Sequence, residues 1–174
     1  YSNGGVQVEL QSGKTVHADV LIGADGIWSA VRKTMRNQTA AKGKGSGAVY
    51  SGYTVFAGEL DYIAPDHSVV GYKVYIGPQQ YFVITDIGKG RYQWYAFQAR
   101  EPNSAATIVK PDNSTSLYLQ NIFTGWSEEI HDILRVTQEH EIEQRDLYDR
   151  SPSRPWYDGN VALLGDGIHA MMPN

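Results

Sequence analysis

Two short stretches set an acid between small residues directly after an apolar run: "DVLIGADGIWSAVR" from Asp19 to Arg32 and "NVALLGDGIHAMMP" from Asn160 to Pro173. In each, a strand-like segment ends, a carboxylate follows (Asp25 or Asp166), and a helix-like segment begins. Ligands of open α/β sheets collect outside the carboxyl ends of the strands, so a carboxylate there is placed to accept hydrogen bonds from sugar or polyol hydroxyls. The neighbouring glycines, Gly26, Gly165 and Gly167, let the backbone turn tightly and approach a ligand with no Cβ in the way. Unpaired N–H groups at the start of the following helix favour a phosphate. The same pattern also suits an ordinary capped helix, because Asp is a good N-cap. His169, three residues beyond Asp166, is a residue type for acid/base work, though a structural hydrogen bond is the expected role.

The elements that would carry these turns are legible as periodicities. Val6, Val8 and Leu10 alternate with Gln7 and Glu9, "QSGK" turns, and the chain resumes toward Val20–Ile22, which reads as a hairpin feeding a strand. The run at Val20–Ile22 has the character of a parallel strand buried on both faces. Ile27, Ala30, Val31 and Met35 then follow a helical stripe. After the Gly/Lys-rich Asn37–Gly47 the composition shifts to aromatic and β-branched residues in four runs separated by turn residues, the spacing of successive antiparallel strands. Trp94, Tyr95 and Phe97, in one of those runs, are expected either to line a substrate pocket or to fill core. Leu119, Ile122, Phe123, Trp126, Ile130, Ile133 and Leu134 recur at helical spacing, with Gly125 expected to split or bend the helix. "EHEIEQRDLYDR" predicts a further strand, and "NVALLGDG" the last strand with its turn.

The chain of 174 residues has 41% hydrophobic and 20% charged residues, ordinary values for a globular protein. Its formal charge of −4, with no Lys/Arg block, argues against nucleic acid as a partner. The absence of cysteine excludes disulfides, thiol catalysis and cysteine-based zinc sites. The five histidines, at 17, 67, 131, 140 and 169, show no ligand-pair spacing, so no metal is expected. No apolar run approaches the ~20 residues that span a bilayer.

"ADVLIGADGIWSAVR" resembles the DG motif, and "VALLGDGIHAMMPN" the GD motif, of FAD-dependent monooxygenases of the aromatic-hydroxylase type. "AVYSGYTVFAG", "YFVITDIGKGRYQWYAF", "FTGW" and "RDLYDRSP" resemble the carotenoid-epoxidising branch of that family, and the likeness runs over essentially the whole chain. The resemblance implies a mixed α/β (α+β) fold: a Rossmann-like FAD-binding domain interrupted by an antiparallel β-sheet substrate domain. Residues 1–46 and 148–174 would belong to the FAD-binding part, and 47–147, with its helix, to the substrate part.

In that family the acid of the GD motif reaches the ribityl chain of the flavin, which implies this role for Asp166 between Gly165 and Gly167, with Pro173 closing the motif. The DG motif implies a place on the cofactor side for Asp25, Gly26 and Arg32, touching flavin or nicotinamide; Arg32 also reads as a helix-surface charge. Oxygen is activated at the flavin, so no catalytic side chain is required and His169 stays structural. The implied cofactor is FAD with electrons from NAD(P)H, directly or through a redox-partner protein. The implied substrates are O2 and a carotenoid, in a plastid, stromal or on the thylakoid membrane, with peripheral membrane contact. Hydroxylation of small phenols, or a non-catalytic binding role on the same scaffold, are the alternatives. A GxGxxG phosphate loop is expected ahead of residue 1; none occurs within these residues, so the stretch reads as internal to a longer flavoprotein and inactive by itself.

Overall fold

The computed structural model describes residues 4–36, 47–152 and 154–172. It divides into two compact units, one formed by residues 1–51 with 148–174 and the other by 52–147.

The first unit opens with a hairpin of β1 (Val6–Glu9) and β2 (Thr15–Ala18), antiparallel with Val6 opposite Ala18 and Glu9 opposite Thr15. Its turn closes through hydrogen bonds from Leu10 N to Lys14 O and from Gly13 N to Leu10 O. Next comes β3 (Leu21–Gly23), then helix α1 (Ala30–Met35). Near the end of the chain, β9 (Tyr157–Asp158) and β10 (Val161–Leu163) lead into the single turn of helix α4 (Asp166–His169). These strands form a three-stranded sheet with β10 in the centre, antiparallel to β9 and parallel to β3.

Among the described residues, the strand from the Val20–Ile22 run is covered on one face. The strand is β3, an outer strand of its sheet, and Ile22 is 60% exposed. Helix α1 packs on the other face, where a Cβ at Gly23 would lie 2.8 Å from Val31. Ile22, one position away in a period-two element, points to the opposite side.

The second unit holds most of a sheet in the order β5 (Tyr72–Gly77), β6 (Gln80–Gly88), β7 (Arg91–Ala99), β4 (Ala48–Asp61), β8 (Glu143–Arg150). Neighbours from β5 through β4 are antiparallel, with Val74 opposite Val83, Val83 opposite Tyr95, and Tyr95 opposite Ala57. The helical pattern after the sheet resolves into two helices, α2 (Thr115–Ile122) and α3 (Glu128–Val136). Gly125, between them, has φ of +83°, a conformation that favours glycine and ends the first helix.

Alternation along the strands sorts their side chains onto two faces. Phe56, Phe82, Ile84, Tyr92 and Trp94 point to one face and bury against Leu119, Phe123, Ile130, Ile133 and Leu134 of the helices. Burial of this many large apolar side chains, each stabilising by roughly 1.5–3 kcal/mol relative to exposure, makes this the main core of the unit. Val55, Val83 and Phe97 point to the other face, among the rings of Tyr53, Tyr81 and Tyr95.

Candidate functional site

The parallel pairing of β3 with β10 brings the two acid-glycine turns together. Leu21 faces Val161, Ile22 faces Ala162 and Gly23 faces Leu163, so both strands end at the same edge of the sheet. Leu164 N donates to Gly23 O at 3.0 Å, which carries the pairing one residue further. The two turns lie tightly against one another: a Cβ on Gly167 would stand 2.9 Å from Gly23 O, and one on Gly23 would press on Val31 and Leu163.

Asp25 and Asp166 differ in what their carboxylates do. Oδ2 of Asp25 accepts from Ala30 N at 2.7 Å and from Val31 N at 3.3 Å, so it caps α1 from five residues upstream. Ser29 completes the cap, its Oγ accepting from Arg32 N at 2.9 Å. Partial burial tends to raise the pKa of Asp25. Hydrogen bonds from the Ser29 hydroxyl and the Val31 and Ala30 amides outweigh that, and the carboxyl titrates below its ordinary range. Asp166 begins α4, is exposed, and accepts no hydrogen bond from a described residue. Its position is set by Gly165, whose φ of +58° lets the chain leave β10 and enter the helix in one step. The paired acid is therefore structural in its contacts, and the unpaired one is open to a ligand.

Arg32 is not a surface charge. It is 0% exposed, with Nη1 donating to Gly167 O and Nη2 to Ile27 O, both at 2.8 Å. Arg150 adds a second donor to Ile27 O at 3.1 Å. Burial, with Arg150 and Arg36 nearby, lowers the pKa of Arg32, against a smaller opposing pull from Asp25; the guanidinium stays charged at neutral pH. Arg32 thus ties the turn after Asp25 to the turn after Asp166 through backbone carbonyls. Sequence alone gives no sign of this, because neither partner is a side chain.

His169 is half-buried, its ring centroid 6.3 Å from that of Trp156, and its imidazole makes no hydrogen bond with a described residue. Gly26 has φ of +79° and stands at the DG turn, while Pro173 lies outside the described residues. The first unit also has a cleft of about 530 Å³, lined by Val6, Val8, Leu21, Val31, Met35 and Val161 among others. None of the acid-glycine residues lines it.

Trp94, Tyr95 and Phe97 do not form one wall. Trp94 is fully buried on the helix-packed face, its ring 2.8 Å from where a Cβ on Gly58 would be, and its indole N–H donates to Thr137 Oγ1 at 3.0 Å. Tyr95 and Phe97 lie on the other face, as period-two alternation requires. There Tyr81 stacks on Phe97 with centroids 4.1 Å apart, and Tyr53 meets Tyr81 edge-on at 5.9 Å. The face continues onto β5, where Tyr72, Val74 and Ile76 are exposed. Ion pairs on this face join Arg91 to Glu59 at 2.6 Å and to Asp61 at 3.9 Å, and Arg145 to Glu143 at 3.5 Å. Tyr53, Tyr81 and the β5 residues escape a reading by local motif, because only the register of the strands assembles them.

Residues 4–174 match the FAD binding domain family. The chain is 45% identical to chloroplastic zeaxanthin epoxidase of Spinacia oleracea over 97% of its own length and 23% of that protein's. For the Arabidopsis thaliana counterpart the figures are 46%, 97% and 24%. The chain thus spans about a quarter of the curated relatives it matches. Among solved structures, Klebsiella pneumoniae HpxO complexed with FAD and uric acid superposes with a TM-score of 0.81 at 22% identity, over 99% of this chain and 42% of that one. A salicylate hydroxylase substrate complex gives 0.65 at 24%, over 99% and 45%. With its two acid-glycine turns side by side and its whole described length within the match, the chain belongs to the FAD binding domain family.

Proposed function

We propose that this chain is the central portion of an FAD-dependent monooxygenase that epoxidises a ring double bond of a carotenoid such as zeaxanthin, giving antheraxanthin and then violaxanthin. The observation that carries the reading is the second face of the five-stranded sheet. Its centre is aromatic and aliphatic, and it runs from Tyr53 across Phe97 and Tyr81 to the exposed Ile76. Three strand spacings of 4.7–4.9 Å make that apolar track roughly 14 Å wide across the strands, with more length along them. A small phenol or carboxylate asks for a few convergent polar groups. A long polyene asks for an extended apolar wall, and the names of the relatives, zeaxanthin epoxidases, favour the same substrate.

The residues of the first unit fit FAD. Asp166 has an exposed carboxylate, unpaired among the described residues and positioned at the end of β10, able to accept hydrogen bonds from the ribityl hydroxyls. Gly165 and Gly167 keep the backbone beside it bare, and Arg32 holds the Gly167 carbonyl turned inward. Asp25 and Gly26 shape the adjoining turn from the cofactor side. When bound, FAD supplies the oxygen-activating chemistry, with electrons from NAD(P)H or a redox partner. The aromatic face supplies a dry wall and orients the ring of the substrate. The chloroplastic relatives favour a plastid setting.

The test is product analysis with the full-length protein, FAD and an electron donor, offered zeaxanthin or salicylate. Epoxides from the first and no hydroxylated product from the second support the reading. Hydroxylation of salicylate without epoxide formation overturns it.

A further inference from the structure

The Tyr81 hydroxyl stands out on the second face of the five-stranded sheet. It is shielded from solvent and has no hydrogen-bond partner among the described residues. On the same face Tyr95 donates to Gln93 Oε1 at 2.6 Å, whereas the Tyr92 hydroxyl, which shares the lack of a partner, lies in the helix-packed core away from this face. Buried hydroxyls of native proteins are satisfied in the large majority, and an exception asks for a reason. Phenylalanine would pack against Phe97 equally well, so the stacking of the ring does not explain the oxygen. Burial, with Tyr53 and Tyr72 nearby, pushes its pKa up to about 12, so the group is a neutral donor at any physiological pH. Tyr72 nearby is 61% exposed at the edge of the sheet.

We infer that the Tyr81 hydroxyl reads an alcohol on the substrate: it hydrogen-bonds the ring hydroxyl of a hydroxylated carotenoid and thereby selects such rings over hydrocarbon ones. The inference rests on the carotenoid reading above and deepens it. The surrounding face supplies apolar contact to either kind of ring, through Val55, Val83, Phe97 and the Tyr53 ring. The one unsatisfied polar atom among them is then the element that tells the two apart. A site built to bond a hydroxyl rejects an analogue that lacks it, because its own polar group is left unpaired.

The experiment compares zeaxanthin with β-carotene, the same polyene without hydroxyls, in the full-length protein and in Tyr81→Phe. The expected result is a wild-type kcat/KM ratio of at least tenfold in favour of zeaxanthin, falling to within about threefold in the variant. Tenfold corresponds to about 1.4 kcal/mol. Thermal unfolding supplies a second readout, which holds even where turnover is slow. An orphan hydroxyl leaves the Tm of ligand-free Tyr81→Phe equal to or above that of the wild type, whereas a structurally bonded one lowers it. An unchanged substrate ratio in the variant, a lowered Tm, or a wild type that treats the two carotenoids alike overturns the role of Tyr81 alone. A wild type that epoxidises neither overturns the carotenoid reading beneath it.

Discussion

Arg32 offers the sharpest perturbation of the two-turn arrangement. Arg32→Ala removes a wholly buried side chain and two hydrogen bonds of 2.8 Å to Gly167 O and Ile27 O. Hydrogen bonds from a charged donor contribute about 1.5–3 kcal/mol each. Ile27 O keeps its bond from Arg150, so the larger loss falls on the Gly167 carbonyl. Relief from burying a cation offsets part of this, and the cavity left by truncation adds to it. The net expectation is a loss of about 3–5 kcal/mol in the first unit. Arg32→Lys should cost about 1–3 kcal/mol, because a single ammonium cannot reproduce the fork that spans two carbonyls. Urea unfolding followed by hydrogen exchange of residues 161–172 reads the effect where it arises. In the full-length protein FAD affinity should fall at least tenfold. A shift of less than about 1 kcal/mol for Arg32→Ala, with FAD affinity intact, refutes the argument that this arginine holds the two turns together.

Asp166→Ala should weaken FAD binding by about 1–3 kcal/mol with little change in folding, since the side chain has no partner among the described residues; calorimetric titration of the full-length protein measures it. Trp94→Ala should destabilise the second unit by about 3–5 kcal/mol, as for other buried aromatics, and the shift in its thermal unfolding is the readout. Glu139 accepts from the Thr115 and Ser116 amides at the start of α2, and although partial burial opposes it, these bonds hold its pKa below the ordinary value. Its contribution is therefore present above the unfolded-state pKa and lost as pH falls through the folded one, so acid should loosen α2 in the wild type and change Glu139→Gln less, as circular dichroism would show.

Parts of this structure were open to a reader of the sequence, and parts were not, for identifiable reasons. The β1–β2 hairpin and the strands β5 to β7 follow from local alternation and turn residues, and the break at Gly125 from a residue that tolerates positive φ. The union of β3 with β10 does not follow, because parallel pairing joins segments from opposite ends of the chain, with no local turn to announce it. Trp94 and Tyr95 were grouped by adjacency although adjacent strand residues face opposite ways, so alternation alone could have separated them. Ile22 is exposed among the described residues, on the face of β3 away from α1, and alternation alone does not say what covers that face. Arg32 resisted the reading as a surface charge, since its environment is built from carbonyls that carry no sequence signature.

The central claim, that the chain serves a flavin-dependent epoxidation, is tested most directly by isotope labelling. The full-length protein, loaded with FAD and supplied with an electron donor, is given zeaxanthin under isotopically heavy dioxygen, and the products are weighed by mass spectrometry. The account predicts heavy oxygen in the epoxide ring, and loss of that product in a preparation stripped of FAD. Unlabelled epoxide, or labelled epoxide that forms equally well without FAD, would contradict it.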